Sequence, residues 1–425
     1  REVASNGDFI RLLDEADASY NFIGNNGSVF YFNTTQGAPR GRIIAIDTHQ
    51  PERANWRELV PEQEEDVIAF ALMVNQQFVV AYMHDAHHRI MLYQEDGSFE
   101  REIELPTLGS IIEITGEQDD NEFFISFTSY LQPPSIYRYD FAMETLSLLH
   151  DAEIKFDASQ YETQQVFYPS KDGTRIPMFL THKKGLKLDG NNPTLLYGYG
   201  GFDISLTPAF AIQPIVWIEN GGVYAVANLR GGDEYGEAWH EAGMLEKKQN
   251  VFDDFIGAAE WLIANKYSST PRLAIHGGSN GGLLVGACLV QRPELYGAVV
   301  PAVPVIDMLR FHKFTVGSFW IPEYGDAEHN AEHFKFLHAY SPLHNVKEGV
   351  AYPPTLIMTA DTDDRVVPAH AKKFTATLQR AQGGEAPILL RLEMKAGHGL
   401  GKPTTKVIEE KCDMLAFLFE ALGME

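Results

Sequence analysis

The stretch HGGSNGGLLVGACL, from His276 to Leu289, sets a serine among glycines and runs on into small apolar residues. Serine is a weak nucleophile until a base takes its proton, and that base needs an acid to orient it. Gly277, Ser279 and Gly281 fill the pattern Gly-x-Ser-x-Gly, with Gly278 and Gly282 beside them. In a nucleophile elbow the serine occupies a strained turn between a strand and a helix. Side chains two residues away on either side would collide with that turn, so glycine stands there. Such an elbow lifts the hydroxyl clear of the sheet and aims the first amides of the next helix at the reaction centre. The apolar run before Ser279 and the small-residue helical pattern after it supply this context. A glycine-rich turn without chemistry is the plain alternative.

Elbows of this kind draw their partners in the chain order Ser, Asp or Glu, His. After Ser279, the apolar run PTLIMTA ends in DTDDRVVP, which offers Asp361, Asp363 and Asp364. Further on, RLEMKAGHGLGKP places His398 between two glycines, where a short loop leaves it free to approach a serine. Ser279 precedes Asp363 by 84 residues and Asp363 precedes His398 by 35, room for helices between strands. Spacing does not choose among the three aspartates, which could also cap the helix that follows Pro368. Of the 15 histidines, His276, His338, His344 and His370 read as packing or surface residues.

From about Phe156 onward, short apolar runs ending in Gly, Asp or Asn alternate with helical patterns. TLLYGYGG, VYAVANLRGG, RLAIHGGSNGG, GAVVPAVPV and PTLIMTADTDD are the strand candidates. VFDDFIGAAEWLIANK (251–266), AHAKKFTATLQRAQ (369–382) and TTKVIEEKCDMLAFLFEALG are the helix candidates. Buried strands alternating with helices predict an α/β fold whose mostly parallel, doubly wound sheet is covered on both faces. Active residues then gather beyond the carboxyl ends of the strands.

The first 152 residues have another grammar. VFYFNT from Val29, FVVAYM from Phe78 and FFISFTS from Phe123 repeat at spacings of 49 and 45. RIIAIDT from Arg42, RIMLYQE from Arg89 and SIYRYDF from Ser135 repeat at 47 and 46. A strand repeat near 45 residues predicts β-propeller blades; a meander or sandwich is the alternative. Three blades fall short of the roughly four to eight that close a ring. Either earlier blades precede Arg1 or the propeller reading is wrong.

A net charge of −24 excludes a broad surface for nucleic acid or anionic membrane and instead serves solubility. No apolar run is long enough to span a membrane, and the N-terminus lacks the pattern of a signal peptide. Two cysteines, Cys288 and Cys412, make no disulfide framework and fit a reducing compartment, so the expected location is the cytoplasm. With Arg1 in place of an initiating Met, a periplasmic or secreted location stays open. No cluster has metal-ligand spacing, and neither a metal nor an organic cofactor is expected.

Longer motifs add specificity. LYGYGGF, NLRGGDEYGEAWHEAGMLEKKQNVFDDF, GGSNGGLL, DMLRFHKFTVGSFW, TADTDDRVVP and AGHGLGKP together resemble the prolyl oligopeptidase family, serine peptidases that pair an α/β-hydrolase domain with a β-propeller. The resemblance implies a propeller segment of about three blades over 1–152 and a catalytic domain over 153–425. It implies Ser279 as nucleophile, Asp363 as orienting acid and His398 as general base. The Asn280 amide and the Tyr199 hydroxyl would form the oxyanion hole. Trp320 would stack on a proline ring in a pocket completed by Phe202, Val305, Tyr324 and Val366, and Arg365 would bond the carbonyl of the residue before that proline.

The implied activity is endopeptidase cleavage of short peptides after proline, by a monomer without nucleic-acid or membrane partners. A related oligopeptidase acting on basic or acylated peptides, an aminopeptidase or ester hydrolase, and a non-catalytic binding scaffold are the competing readings. The family's first hydrolase segment and earlier blades are not found in this chain. The resemblance therefore predicts an upstream portion that is a separate chain, a nicked piece or a deletion.

Overall fold

The computed structural model describes residues 11–399 and 401–424. Residues 1–10, which open the expected propeller segment, and Leu400, in the AGHGLGKP motif, lie outside the described residues. The chain divides into two compact units. One runs to Phe156 and includes Thr207–Phe210 and Glu234–Ala238; the other holds the rest, beginning at Asp157.

Among the described residues, the first unit contains three four-stranded antiparallel sheets, each in simple meander order. Strands β1–β4 are Tyr20–Asn26, Val29–Thr34, Arg42–Asp47 and Arg57–Val60. Strands β5–β8 are Val67–Val74, Gln77–His84, His87–Gln94 and Phe99–Ile103. Strands β9–β12 are Ser110–Thr115, Glu122–Thr128, Ser135–Asp140 and Thr145–His150. The repeated motifs fall at equivalent places, on the second and third strand of each sheet. The sheets pack face to face: Tyr31 and Ile43 of the first meet Phe78 and Val80 of the second. Val79 and Leu92 of the second meet Phe123 and Ile125 of the third. Alternation along β6 thus feeds two cores from one strand, because successive side chains point to opposite faces. These are propeller-type blades, as the repeat predicts.

The second unit is built on an eight-stranded sheet in the order β13-β14-β16-β15-β17-β18-β19-β20. Its strands are Tyr161–Pro169, Arg175–Lys183, Thr194–Tyr197, Val223–Ala227, Leu273–Gly278, Ala298–Ala302, Thr355–Ala360 and Ile388–Glu393, β13 to β20 in chain order. β13, β14 and β16 pair antiparallel in sequence, and every pair from β16 through β20 is parallel. Leu196, Ile275, Val299 and Ile357 share a core with the helices Gln249–Ala264, Asn280–Gln291 and Ala369–Ala381. Their strand neighbours Leu195, Ala274, Val300 and Leu356 are buried as well, so the sheet is covered on both faces. The parallel direction brings the carboxyl ends of β15, β17, β18, β19 and β20 to one edge, with Tyr199, Ser279, Asp363 and His398 in the segments that follow β15, β17, β19 and β20.

Candidate active site

Ser279 follows β17 directly and forms the N-cap of the helix Asn280–Gln291, with φ 59° and ψ −114°. A side chain at this φ is strained by roughly 1–3 kcal/mol. The structure that imposes the strain is buried: Leu283, Leu284 and Leu289 are each at most 1% exposed. Burial of each stabilises by roughly 1.5–3 kcal/mol, so the helix core outweighs the strained turn. The Ser279 amide donates to Ala302 O at 2.9 Å, which ties the turn to the end of β18. Glycine is needed on both sides. A Cβ at Gly277 would lie 2.4 Å from Gly281 O, and one at Gly281 would lie 2.7 Å from Gly198 O. Both clashes are with backbone, which cannot step aside as a flexible side chain could.

As the first residue of its helix, Asn280 has an amide without a partner inside that helix, a ready donor for an anion. Its side chain is committed elsewhere. Asn280 Nδ2 donates to Tyr199 O at 2.7 Å, and the Tyr324 hydroxyl donates to Asn280 Oδ1 at 2.8 Å. Tyr199 stands beyond β15 and lines the same cavity as Ser279. Burial is the main force raising its pKa, to about 12, and the neighbouring Ser279 side chain pulls the other way. The phenol therefore stays protonated, able to donate, at neutral pH.

Of the three aspartates, Asp363 is the one that meets His398. Its Oδ2 lies 2.7 Å from His398 Nδ1, and the carboxylate side chain is fully buried. Its other oxygen accepts the amides of Arg365 at 3.0 Å and Val366 at 2.8 Å. These two bonds fix the carboxylate so that only one oxygen is left for the imidazole. The register of β19 with β20 prepares the meeting. Thr362 Oγ1 donates to Ala396 O at 2.8 Å, stitching the loop after β19 to the loop after β20. Asp364 is exposed. Asp361 instead receives the Ala396 amide at 3.3 Å.

Beside Ser279 lies a cavity of about 200 Å³, lined by Tyr199, Phe202, Ile204, Val305, Trp320, Tyr324 and Arg365. The aromatic walls brace one another. Trp320 lies nearly parallel to Phe311, at 14° with centroids 6.4 Å apart, and Tyr324 meets Phe202 edge-on at 5.3 Å. Val366 is not part of this lining. It is 2% exposed and packs in the central core, because its amide must face inward to reach Asp363. Ile204 takes a place in the wall that the sequence did not suggest. No carboxylate lines the cavity among the described residues.

A mixed sheet with this strand order, and a serine elbow, aspartate and histidine at its carboxyl edge, defines the α/β-hydrolase class of fold. Family comparison narrows the class. The model of the prolyl oligopeptidase family matches residues 208–425, and that of the prolyl oligopeptidase N-terminal beta-propeller domain matches residues 2–152. The chain belongs to the prolyl oligopeptidase family.

It is 43% identical to a prolyl endopeptidase of Elizabethkingia meningoseptica, over 100% of this chain and 60% of that protein. It is 40% identical to one of Dictyostelium discoideum, over 97% of this chain and 56% of that protein. A solved structure from an analysis of two prolyl endopeptidases superposes with a TM-score of 0.91 at 47% identity, covering 97% of this chain and 61% of that one. Prolyl oligopeptidase B from Galerina marginata, bound to a 35mer hydrolysis and macrocyclization substrate, gives 0.90 at 38% identity, covering 97% and 59%. The chain thus spans about 60% of the length of the curated relatives it matches.

Proposed function

We propose that this chain carries the catalytic machinery of a serine endopeptidase that cleaves short peptides on the carboxyl side of proline. The observation that carries the reading is the wall of the cavity beside Ser279: aromatic and apolar, with Arg365 its charged member and no carboxylate among the described residues. Proline has a rigid ring and no N–H, so a flat aromatic slot recognises it by shape without polar partners. A pocket for basic residues would need a carboxylate instead.

The proposed reaction begins with Ser279 Oγ attacking the carbonyl carbon while His398 takes its proton. With Nδ1 bonded to Asp363, Nε2 is the nitrogen that serves as base. Asp363 holds the tautomer and steadies the imidazolium. The Asn280 amide and the Tyr199 hydroxyl receive the negative charge of the tetrahedral intermediate, which exists only on the reaction path. His398 returns the proton to the leaving amine, and water then releases the acyl group from Ser279. Trp320, Phe202, Val305, Tyr324 and Ile204 hold the proline ring, and Arg365 bonds the preceding carbonyl. No step needs a metal or organic cofactor. We take residues 1–152 as the propeller segment and 153–425 as the catalytic domain.

The protein acts as a monomer on peptides. Cys288 and Cys412 are both unpaired, which supports a cytoplasmic location. Among the described residues no helix is long and apolar enough to cross a membrane.

Tyr199→Phe removes one oxyanion donor and is expected to lower kcat on the order of 10²–10³-fold with KM little changed. Steady-state kinetics on a blocked prolyl anilide read this; an unchanged kcat would remove Tyr199 from the mechanism. Trp320→Ala is expected to cut turnover of the prolyl substrate roughly 10–200-fold while sparing a small activated ester. Equal loss on both would mark Trp320 as a packing residue.

A further inference from the structure

The loop Tyr199–Phe202 carries both a proposed oxyanion donor and a wall of the pocket, and it contains little regular structure to hold it. Gly200, Phe202 and Asp203 all have positive φ, at 63°, 57° and 60°. Two of these are residues with side chains, so the loop does not rest in a comfortable backbone minimum. Its peptide groups are instead held from outside. Asn280 Nδ2 takes the Tyr199 carbonyl at 2.7 Å, Lys248 Nζ takes the Gly200 carbonyl at 2.9 Å, and Glu323 Oε1 accepts the Phe202 amide at 3.0 Å. A Cβ at Gly201 would lie 2.7 Å from Asn280 Nδ2 and 2.9 Å from Lys248 Nζ, so the clamps close on the loop from that side.

Lys248 and Glu323 are themselves joined. Their Nζ and Oε1 lie 3.4 Å apart, with Lys248 1% and Glu323 5% exposed. Glu323 Oε2 meets His240 Nε2 at 2.8 Å, and Lys248 Nζ sits 5.4 Å from the centroid of the Tyr324 ring. Burial favours the neutral form of Lys248, and Glu323 opposes that. Burying such a pair is a poor source of stability, since well-packed apolar residues often do as well or better. Its use must lie in what it fixes. Glu323 belongs to the short helix Ile321–Tyr324, adjoining Trp320. The pair therefore links the element that carries the aromatic slot to the loop that carries Tyr199.

We infer that Lys248 and Glu323 are positioning residues that keep the Tyr199 hydroxyl in register with the proline pocket. The inference rests on the oxyanion role proposed for Tyr199.

The test is a double-mutant cycle on the full chain. Lys248→Met combined with Glu323→Gln removes both charges together and avoids stranding either one. Glu323→Asp keeps both charges but draws the carboxylate back from the Phe202 amide, and gives a second reading should the paired variant unfold. Thermal unfolding accompanies each. Misplacing the hydroxyl should cost kcat on a blocked prolyl anilide roughly 10–100-fold. Once Tyr199→Phe has removed that hydroxyl, the same changes should cost less than about threefold, since residues acting through one group are not additive. Equal fold losses in both backgrounds, with Tyr199→Phe itself impaired, would overturn this inference and leave the oxyanion role standing. A Tyr199→Phe variant with unchanged kcat would overturn both.

Discussion

Ser279→Ala is expected to lower kcat on prolyl peptides by about a millionfold, the loss typical when a triad nucleophile is removed. The size follows from the mechanism: without Oγ there is no acyl-enzyme, and His398 and the oxyanion donors have no attacking atom to act on. Peptide binding should survive, because the cavity walls are other residues and alanine fits wherever serine does. The elbow itself should also survive. Its shape comes from Gly277, Gly281 and the buried helix behind it, and the Ser279 amide keeps its bond to Ala302 O. Turnover by stopped assay, peptide affinity by calorimetry and thermal unfolding separate these outcomes. Retained turnover would remove Ser279 from the nucleophile's role.

Asp363→Asn is expected to lower kcat by about 10⁴-fold with little change in unfolding temperature. The neighbours of Asp363 dictate the result. Two amides, of Arg365 and Val366, require an acceptor at Oδ1. An asparagine satisfies them by keeping its carbonyl oxygen there, which turns its NH₂ toward His398. The imidazole must then accept at Nδ1 and carry its proton on Nε2, where a base is needed. Geometry survives while the tautomer is wrong. An Asp363→Asn enzyme of near-normal rate would contradict the assignment, and a large loss of stability would show that the amide pattern had not been kept.

The elbow was legible because its constraint is local: glycines within two residues of Ser279, an apolar strand before and a small-residue helix after. The propeller-type blades were legible through period, since the second and third strands of each sheet occupy equivalent places in the repeat. Asp363 was not separable from Asp361 and Asp364 by spacing. The choice depends on the Arg365 and Val366 amides and on the stitching of two loops, which are properties of the folded turn. The family motif pointed to Asp363 by resemblance alone.

The pocket shows the limit more sharply. Trp320 and Phe202 have ordinary core readings, and only contacts across long stretches of chain bring them beside Ser279. Val366 was placed in the wall by the family resemblance, yet its side chain turns into the core. Ile204, two residues after the motif aromatic Phe202, gave no signal of its own. Lys248 and Glu323 read as two more charges in a chain rich in them. Their burial together, 75 residues apart, is visible only in three dimensions. Lys248 sits in the motif MLEKKQN and Glu323 follows GSFW, so a charge inside a long family motif was the signal available.

The proposed mechanism makes Ser279 a nucleophile whose pocket selects proline. Competitive labelling of the full chain with a prolyl and a lysyl phosphonate ester, read by peptide mass spectrometry, tests both halves at once. A single adduct is expected, on the peptide that carries Ser279, formed from the prolyl reagent and absent in Ser279→Ala. An adduct on another residue, or a lysyl reagent that labels Ser279 as fast as the prolyl one, would contradict it.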